Sequence, residues 1–351
     1  MTKPTDFSPL ARGGRVLLPE GDVRVREPLC LTASSARLSG ETWAYASDPN
    51  GVFEGSGGAK LRRAGNGFPL LSVGAAGLVS GGVSADNLGF FGDIAGMDTR
   101  PLFDPLAASP APDAGLYFGG GRVDQGHFSR LSFGGLGAGI YAGGGAELDA
   151  CTFEALNLDG CAVGVYFAPR ASYYTRFSRS VIADNPYFGL IAVGGAGRNV
   201  HNLDISENLF VRNGGALPAE MPGAAAVVLR GVNGARVRDN LFDAPGTFWF
   251  YPEEAARNED RQPMRRPLPA LRVSGDRCVI SGNVFRASSA ESAIVEGDGN
   301  VLLGNVADGD VIVRGDGCTV SGLAFTSPAA RLRIHGHCTV TGVDPARIVE
   351  E

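Results

Sequence analysis

The chain has 351 residues, 44% of them hydrophobic, with 52 glycines and a formal net charge of −6. A pI near 5.4 gives no basic footprint for nucleic acid. The many aliphatic residues exclude a disordered chain, the glycines follow no collagen period, and no stretch is long enough to span a bilayer.

The first residues, Met1-Thr2-Lys3-Pro4-Thr5-Asp6, open no apolar run. We therefore expect no signal peptide and synthesis in the cytoplasm. Arg15-Val16-Leu17-Leu18-Pro19-Glu20-Gly21 followed by Val23-Arg24-Val25 reads as an opening strand pair and turn, within a capping region over residues 1–35. Leu38-Ser39-Gly40 and Lys60-Leu61-Arg62-Arg63 read as later strands. Residues 92–113 are rich in Pro, Ala and Asp and read as a surface insertion.

From residue 139 onward the chain repeats. Glu207-Asn208-Leu209-Phe210, Asp239-Asn240-Leu241-Phe242, Gly282-Asn283-Val284-Phe285 and Gly304-Asn305-Val306 carry the cleanest copies, their asparagines 32, 43 and 22 residues apart. A turn Asn, an outward apolar residue and an inward aromatic suit the corner of a stacked coil. Eight first strands align with this corner, from Gly139-Ile140-Tyr141 to Leu332-Arg333-Ile334, at steps of 18 to 44 residues. A solenoid repeat of about 20–25 residues makes the long steps rungs with insertions. An inward column of Phe133, Phe153, Ile182, Phe210, Phe242, Phe285 and Phe325 closes the rungs. Cys278, Cys318 and Cys338 share one position, which Asn300 takes in the rung between, so the thiols read as core rather than redox or zinc residues. Asp243, Arg286 and Asp308 read as a charged surface ladder.

The expected fold is all-β: one right-handed parallel β-helix of three strands per rung over residues 1–351. Lateral loops are inserted at 92–113, 214–223 and 245–269, a fourth at 169–177, and 343–351 forms a C-terminal cap. Leu17–Leu31, Lys60–Val73 and the rungs ending in Asn-x-Phe resemble parallel β-helix proteins of the pectate-lyase-like superfamily, closest in look to phage tailspike and particle-spike bodies. The resemblance implies a homotrimer on a virion or phage-like particle, with other particle proteins met through the N-terminal region. The polygalacturonase motifs Asn-Thr-Asp, Asp-Asp, Gly-His-Gly and Arg-Ile-Lys are absent as such; Arg333-Ile334-His335-Gly336-His337 echoes two of them in scrambled order.

Strand alternation puts Ile140, Val165, Ile191, Val228, Ile294 and Ile312 outward, with Arg272 and Arg333. Such an apolar stripe marks an interface with a neighbouring subunit, or a surface covered by the chain's own loops. Aromatics interleave with arginines in the insertions. Tyr173, Tyr174, Trp249 and Tyr251 with Arg170, Arg265 and Arg266 make the candidate carbohydrate site, because rings stack on sugars and Arg pairs with acidic groups. The same aromatics could instead anchor the loops. Asp184, Asp243, Glu253 and Glu254 are the candidate acids of a glycosidase. No metal or other cofactor is expected. Three functions follow: a spike that binds surface polysaccharide, a lyase or glycosidase, or a decoration protein without a ligand.

Overall fold

A computed structural model describes residues 5–43, 57–64, 67–92, 113–195, 197–215, 217, 223–248, 264–265, 267–288 and 291–351. The chain is a right-handed parallel β-helix. Each rung lays down a first-row strand, a second-row strand and a strand of a twelve-stranded closing sheet. The two rows join into one 21-stranded sheet through the longer strands Ser84–Phe91 and His127–Gly134. Val79–Gly81, Arg122–Asp124, Glu147–Asp149, Ala171–Tyr173 and Asn199–His201 add a separate, lateral sheet to five rungs. The segment 169–177 is thus strand rather than insertion: Ala171–Tyr173 and Arg176–Ser178 both pair in register with the neighbouring rungs.

Arg15–Leu18 and Gly21–Val25 do not pair with each other. Each pairs in parallel with the next rung, at Arg37–Gly40 and Ala59–Arg63. A 3-10 turn at Ser8–Arg12 closes the N-terminal end by burying Leu10. At the other end, Pro345–Arg347 turns the chain and Ile348–Glu350 adds a last strand to the closing sheet.

Between the two rows the chain bends at one residue with positive φ, such as Glu207, Asp239, Gly282 and Gly304. The residue after each bend is a buried asparagine. Asn208, Asn240, Asn283 and Asn305 form a ladder in which each Nδ2 donates to the next Oδ1 at 3.0–3.1 Å. Each Oδ1 also accepts the preceding rung's backbone N–H, so the bend leaves no orphan polar group. Asn185 and Asn213 repeat the device at the next corner.

Phenylalanines stack inside, Phe90 on Phe133 among them. Phe128, Phe153 and Phe177 belong to the first row, with centroids 5.0 and 4.6 Å apart. Phe210, Phe242 and Phe285 belong to the second, at 5.0 and 4.9 Å. Phe153 therefore lies one row away from the column expected for it, where Leu158 pairs with Phe133. Cys318 and Cys338 are in-register partners, and all six cysteines are free thiols. Burial pushes Cys151 and Cys161 up to about 12, far from reactive thiolates.

Candidate functional site

Strand pairing fixes the outward column of the closing sheet as Cys30, Ser72, Tyr117, Tyr141, Tyr166, Ile191, Val228, Arg272, Ile294, Ile312, Arg333 and Val349. Ile140 and Val165 are not in it; they point into the core, and the tyrosines after them point out. The cause is Gly139 and Gly164. A side chain on Gly139 would meet Leu158 Cδ2 at 2.5 Å, so that residue also faces inward and the alternation restarts one residue later.

The column changes character along the axis. Tyr117, Tyr141 and Tyr166 stack at 5.6 and 4.7 Å. Gly119 and Gly143 give the first two rings room to lie down: a Cβ at either position would fall within 2.6 Å of its tyrosine ring. Burial raises the Tyr117 hydroxyl above the ordinary phenol range. Next, Ile191 and Val228 form a second apolar cluster with Phe188, Leu217 and Leu268. The last two come from the insertions after Phe210 and Phe242, so the chain's own loops cover this part of the stripe. Ile191, Val228, Ile294 and Ile312 are only 2–7% exposed within one chain.

Beyond Val228 the surface becomes ionic. Arg272 donates Nη2 to both oxygens of Glu296 at 3.1 and 2.9 Å, and Arg314 adds a bond at 2.8 Å. Arg333 bridges Asp310 and Glu351. At the junction lies a cleft of about 290 Å³ lined by Gly223, Val228, Leu229, Arg230, Arg272, Ser274 and Glu296. The 214–223 and 245–269 insertions both return to the closing sheet here, ahead of Val227–Arg230 and Leu271–Ser274. Arg272 was legible in the sequence as an outward residue. Arg230 and Glu296 were not, because they lie two residues further along their strands, where no repeat signal marks them.

A second polar surface is the outer face of the lateral sheet. It gathers three of the candidate residues. Arg170 pairs with Glu147, Tyr173 stacks on His201 at 5.9 Å, and Tyr174 is 67% exposed at a positive-φ corner. Arg122 ties this face together by binding Asp124 and Asp149 at 2.6 and 3.0 Å.

The candidate acids lie elsewhere. Asp184 is clasped by both Nε and Nη2 of Arg212 at 2.7 and 2.5 Å, and Asp243 in the same way by Arg286 at 3.2 and 3.0 Å. Both sit at the second-row corner, away from the cleft. Asp308 does not extend the Asp243–Arg286 pair; it accepts the Ser288 backbone N–H. Trp249, Tyr251, Glu253, Glu254 and Arg266 lie outside the described residues, as does the side chain of Arg265. Most of the 92–113 insertion does too. Among the described residues no group of three or more His, Cys, Asp or Glu is placed to hold a metal ion.

No protein-family model and no curated protein matches this sequence. Solved structures similar to it include DFA-IIIase from Arthrobacter chlorophenolicus A6 without its lid, in complex with GF2. That match has 15% identity and a TM-score of 0.61, covering 96% of this chain and 88% of that one. A mutant of the same DFA-IIIase in complex with DFA-III matches at 14% identity and TM-score 0.64, with coverage of 96% and 88%. ORF18 of Geobacillus virus E2 matches at 15% identity and TM-score 0.51, covering 93% of this chain and 54% of that one. At these identities the likeness is one of fold: the parallel β-helix.

Proposed function

We propose that this chain is a carbohydrate-binding β-helix that holds a polysaccharide along the outer face of its closing sheet. The observation that carries the reading is the cleft, where Arg230, Arg272, Ser274 and Glu296 gather at the edge of the covered Val228 cluster. Convergent charged and hydroxyl groups of this kind hold the hydroxyls of a sugar unit. Tyr173, Tyr174 and Arg170 give the polymer a further contact on the lateral face, and Trp249 and Tyr251 a third. Structures of a protein of this fold in complex with GF2 and DFA-III support the reading as analogy.

The finer reading is a receptor-binding spike of the pectate-lyase-like superfamily on a phage or phage-like particle, for which the viral neighbour is support. Side-by-side packing as a homotrimer would use the second row, where Val181, Leu209, Leu241, Val284 and Val306 align outward and Val284 is 38% exposed. Binding is favoured over cleavage by the state of the described candidate acids. Asp184 and Asp243 are each occupied by an arginine, and Glu296 is the one carboxylate lining the cleft among the described residues, whereas a glycosidase needs two.

A glycan array of bacterial surface polysaccharides tests the reading. The wild type should bind at least one of them, and Ser274→Tyr, which fills the cleft, should lose that binding while keeping its melting temperature. Unchanged binding by Ser274→Tyr would sink the site. Release of reducing ends or unsaturated uronate would instead establish the lyase or glycosidase reading. Light scattering that gives a monomer would remove the trimer.

A further inference from the structure

We propose that the sugar unit seated in the cleft carries a carboxylate, so that the chain selects an anionic glycan. This inference rests on the glycan-binding reading and names its ligand class.

Among the described residues, the cleft has more positive charge than its one carboxylate balances. Arg272 and Arg314 pair with Glu296, and Arg230 lines the same cleft. Glu296 is already spent on two of them, since its Oε1 accepts from Arg272 at 3.1 Å and from Arg314 at 2.8 Å, and its Oε2 from Arg272 at 2.9 Å. Arg230 has no carboxylate partner among the described residues, although Glu296 lies in its own outward column two rungs away. In a chain of net charge −6 this local excess is a matter of placement, not composition.

Arg230 and Arg272 also converge. A Cβ on Gly223 would lie 3.6 Å from Arg230 Nη2 and 3.8 Å from Arg272 Nε. Both guanidiniums therefore flank one spot, beside a residue that has no side chain to fill it. Two like charges brought to one wall repel unless an anion stands between them. Arg272 uses Nη2 on Glu296 and keeps Nε toward Gly223, and Arg230 has no carboxylate partner among the described residues. Planar donor forks of this kind match a carboxylate with paired, parallel hydrogen bonds better than they match a hydroxyl.

Ligand-observed NMR on the full chain tests this with glucuronate and galacturonate. Their methyl esters remove the charge and keep the ring; glucose 6-phosphate and glucose 6-sulfate carry other anions. Saturation transfer should favour the uronates over their esters by at least ten-fold, and Arg230→Gln should remove that preference without changing the melting temperature. Equal transfer to acid and ester would overturn the anion inference and leave glycan binding standing. A preference for phosphate or sulfate over uronate would overturn the carboxylate assignment. A uronate preference that survives in Arg230→Gln would place the anion elsewhere. No transfer to any sugar, together with an empty glycan array, would remove both the inference and the reading beneath it.

Discussion

One amide, that of Asn240, makes four hydrogen bonds. It donates to Ile205 O and Asn283 Oδ1 at 2.9 and 3.0 Å, and accepts from the backbone N–H and side-chain Nδ2 of Asn208 at 2.9 and 3.1 Å. All of its partners are buried, so truncation strands several polar groups at a cost of roughly 1–3 kcal/mol each. Asn240→Ala should therefore lower stability by on the order of 3 kcal/mol or more in denaturant titration. Asn240→Asp should not rescue it, because a carboxylate cannot donate to Ile205 O. Equal stability of Asn240→Asp and wild type at neutral pH would show that the donor half of the ladder is dispensable. That these asparagines are structural was readable from Asn-x-Phe. Which residue takes the strained backbone was not, because Glu207 holds the bend as Asp239, Gly282 and Gly304 do, and a glutamate does not advertise a positive φ.

At the scale of the strand, alternation is a sound guide until a residue breaks its phase. Leu190-Ile191-Ala192 follows the simple rule, with Ile191 outward. Gly139-Ile140-Tyr141 does not, because Gly139 and Ile140 both face the core. An apolar Ile and an apolar Tyr satisfy either phase, so hydrophobicity could not choose between them. The choice was made by close packing: a methyl on Gly139 would lie 2.5 Å from Leu158 Cδ2 and 2.8 Å from Gly164 O. Gly139→Ala should therefore destabilise by about 1–3 kcal/mol through overpacking. Gly145→Ala, which meets nothing within 4 Å, should stay within about 0.5 kcal/mol of the wild type or gain slightly. Thermal melts of the two variants decide the matter; equal melting temperatures would mean that the closing sheet has slack at this glycine. The lateral strands escaped the sequence reading for a related reason. They are three residues long and only their middle residue is buried, which is too short a run for periodicity to register.

The whole molecule is a stack in which each rung pairs with its neighbours, so stability accumulates rung by rung and insertions at one corner are separable from it. The architecture was legible because the same corner recurs many times. The cleft was not, because it arises where two insertions return side by side to one sheet, a juxtaposition that exists only after folding. The 245–269 insertion shows how separable such a segment is. Its stem is an antiparallel pair, Thr247 with Arg265 and Phe248 with Met264, and the strands on either side, Leu241–Asp243 and Leu271–Ser274, are held by parallel neighbours of their own. Phe248 and Met264 are backbone partners at the end of the stem, so a two-residue Asn-Gly turn can join them in the geometry favoured by tight hairpins. Replacing 249–263 by Asn-Gly should leave the far-ultraviolet circular dichroism of the β-helix intact and move the melting temperature by only a few degrees, within about 1 kcal/mol. The same variant removes Trp249, Tyr251, Glu253 and Glu254 while keeping Arg230, Arg272 and Glu296. Glycan binding that persists in it would assign recognition to the cleft floor. Binding that is lost in it, with the fold preserved, would assign a share to the aromatic segment, and a collapse of the fold would show that the segment braces the rungs instead.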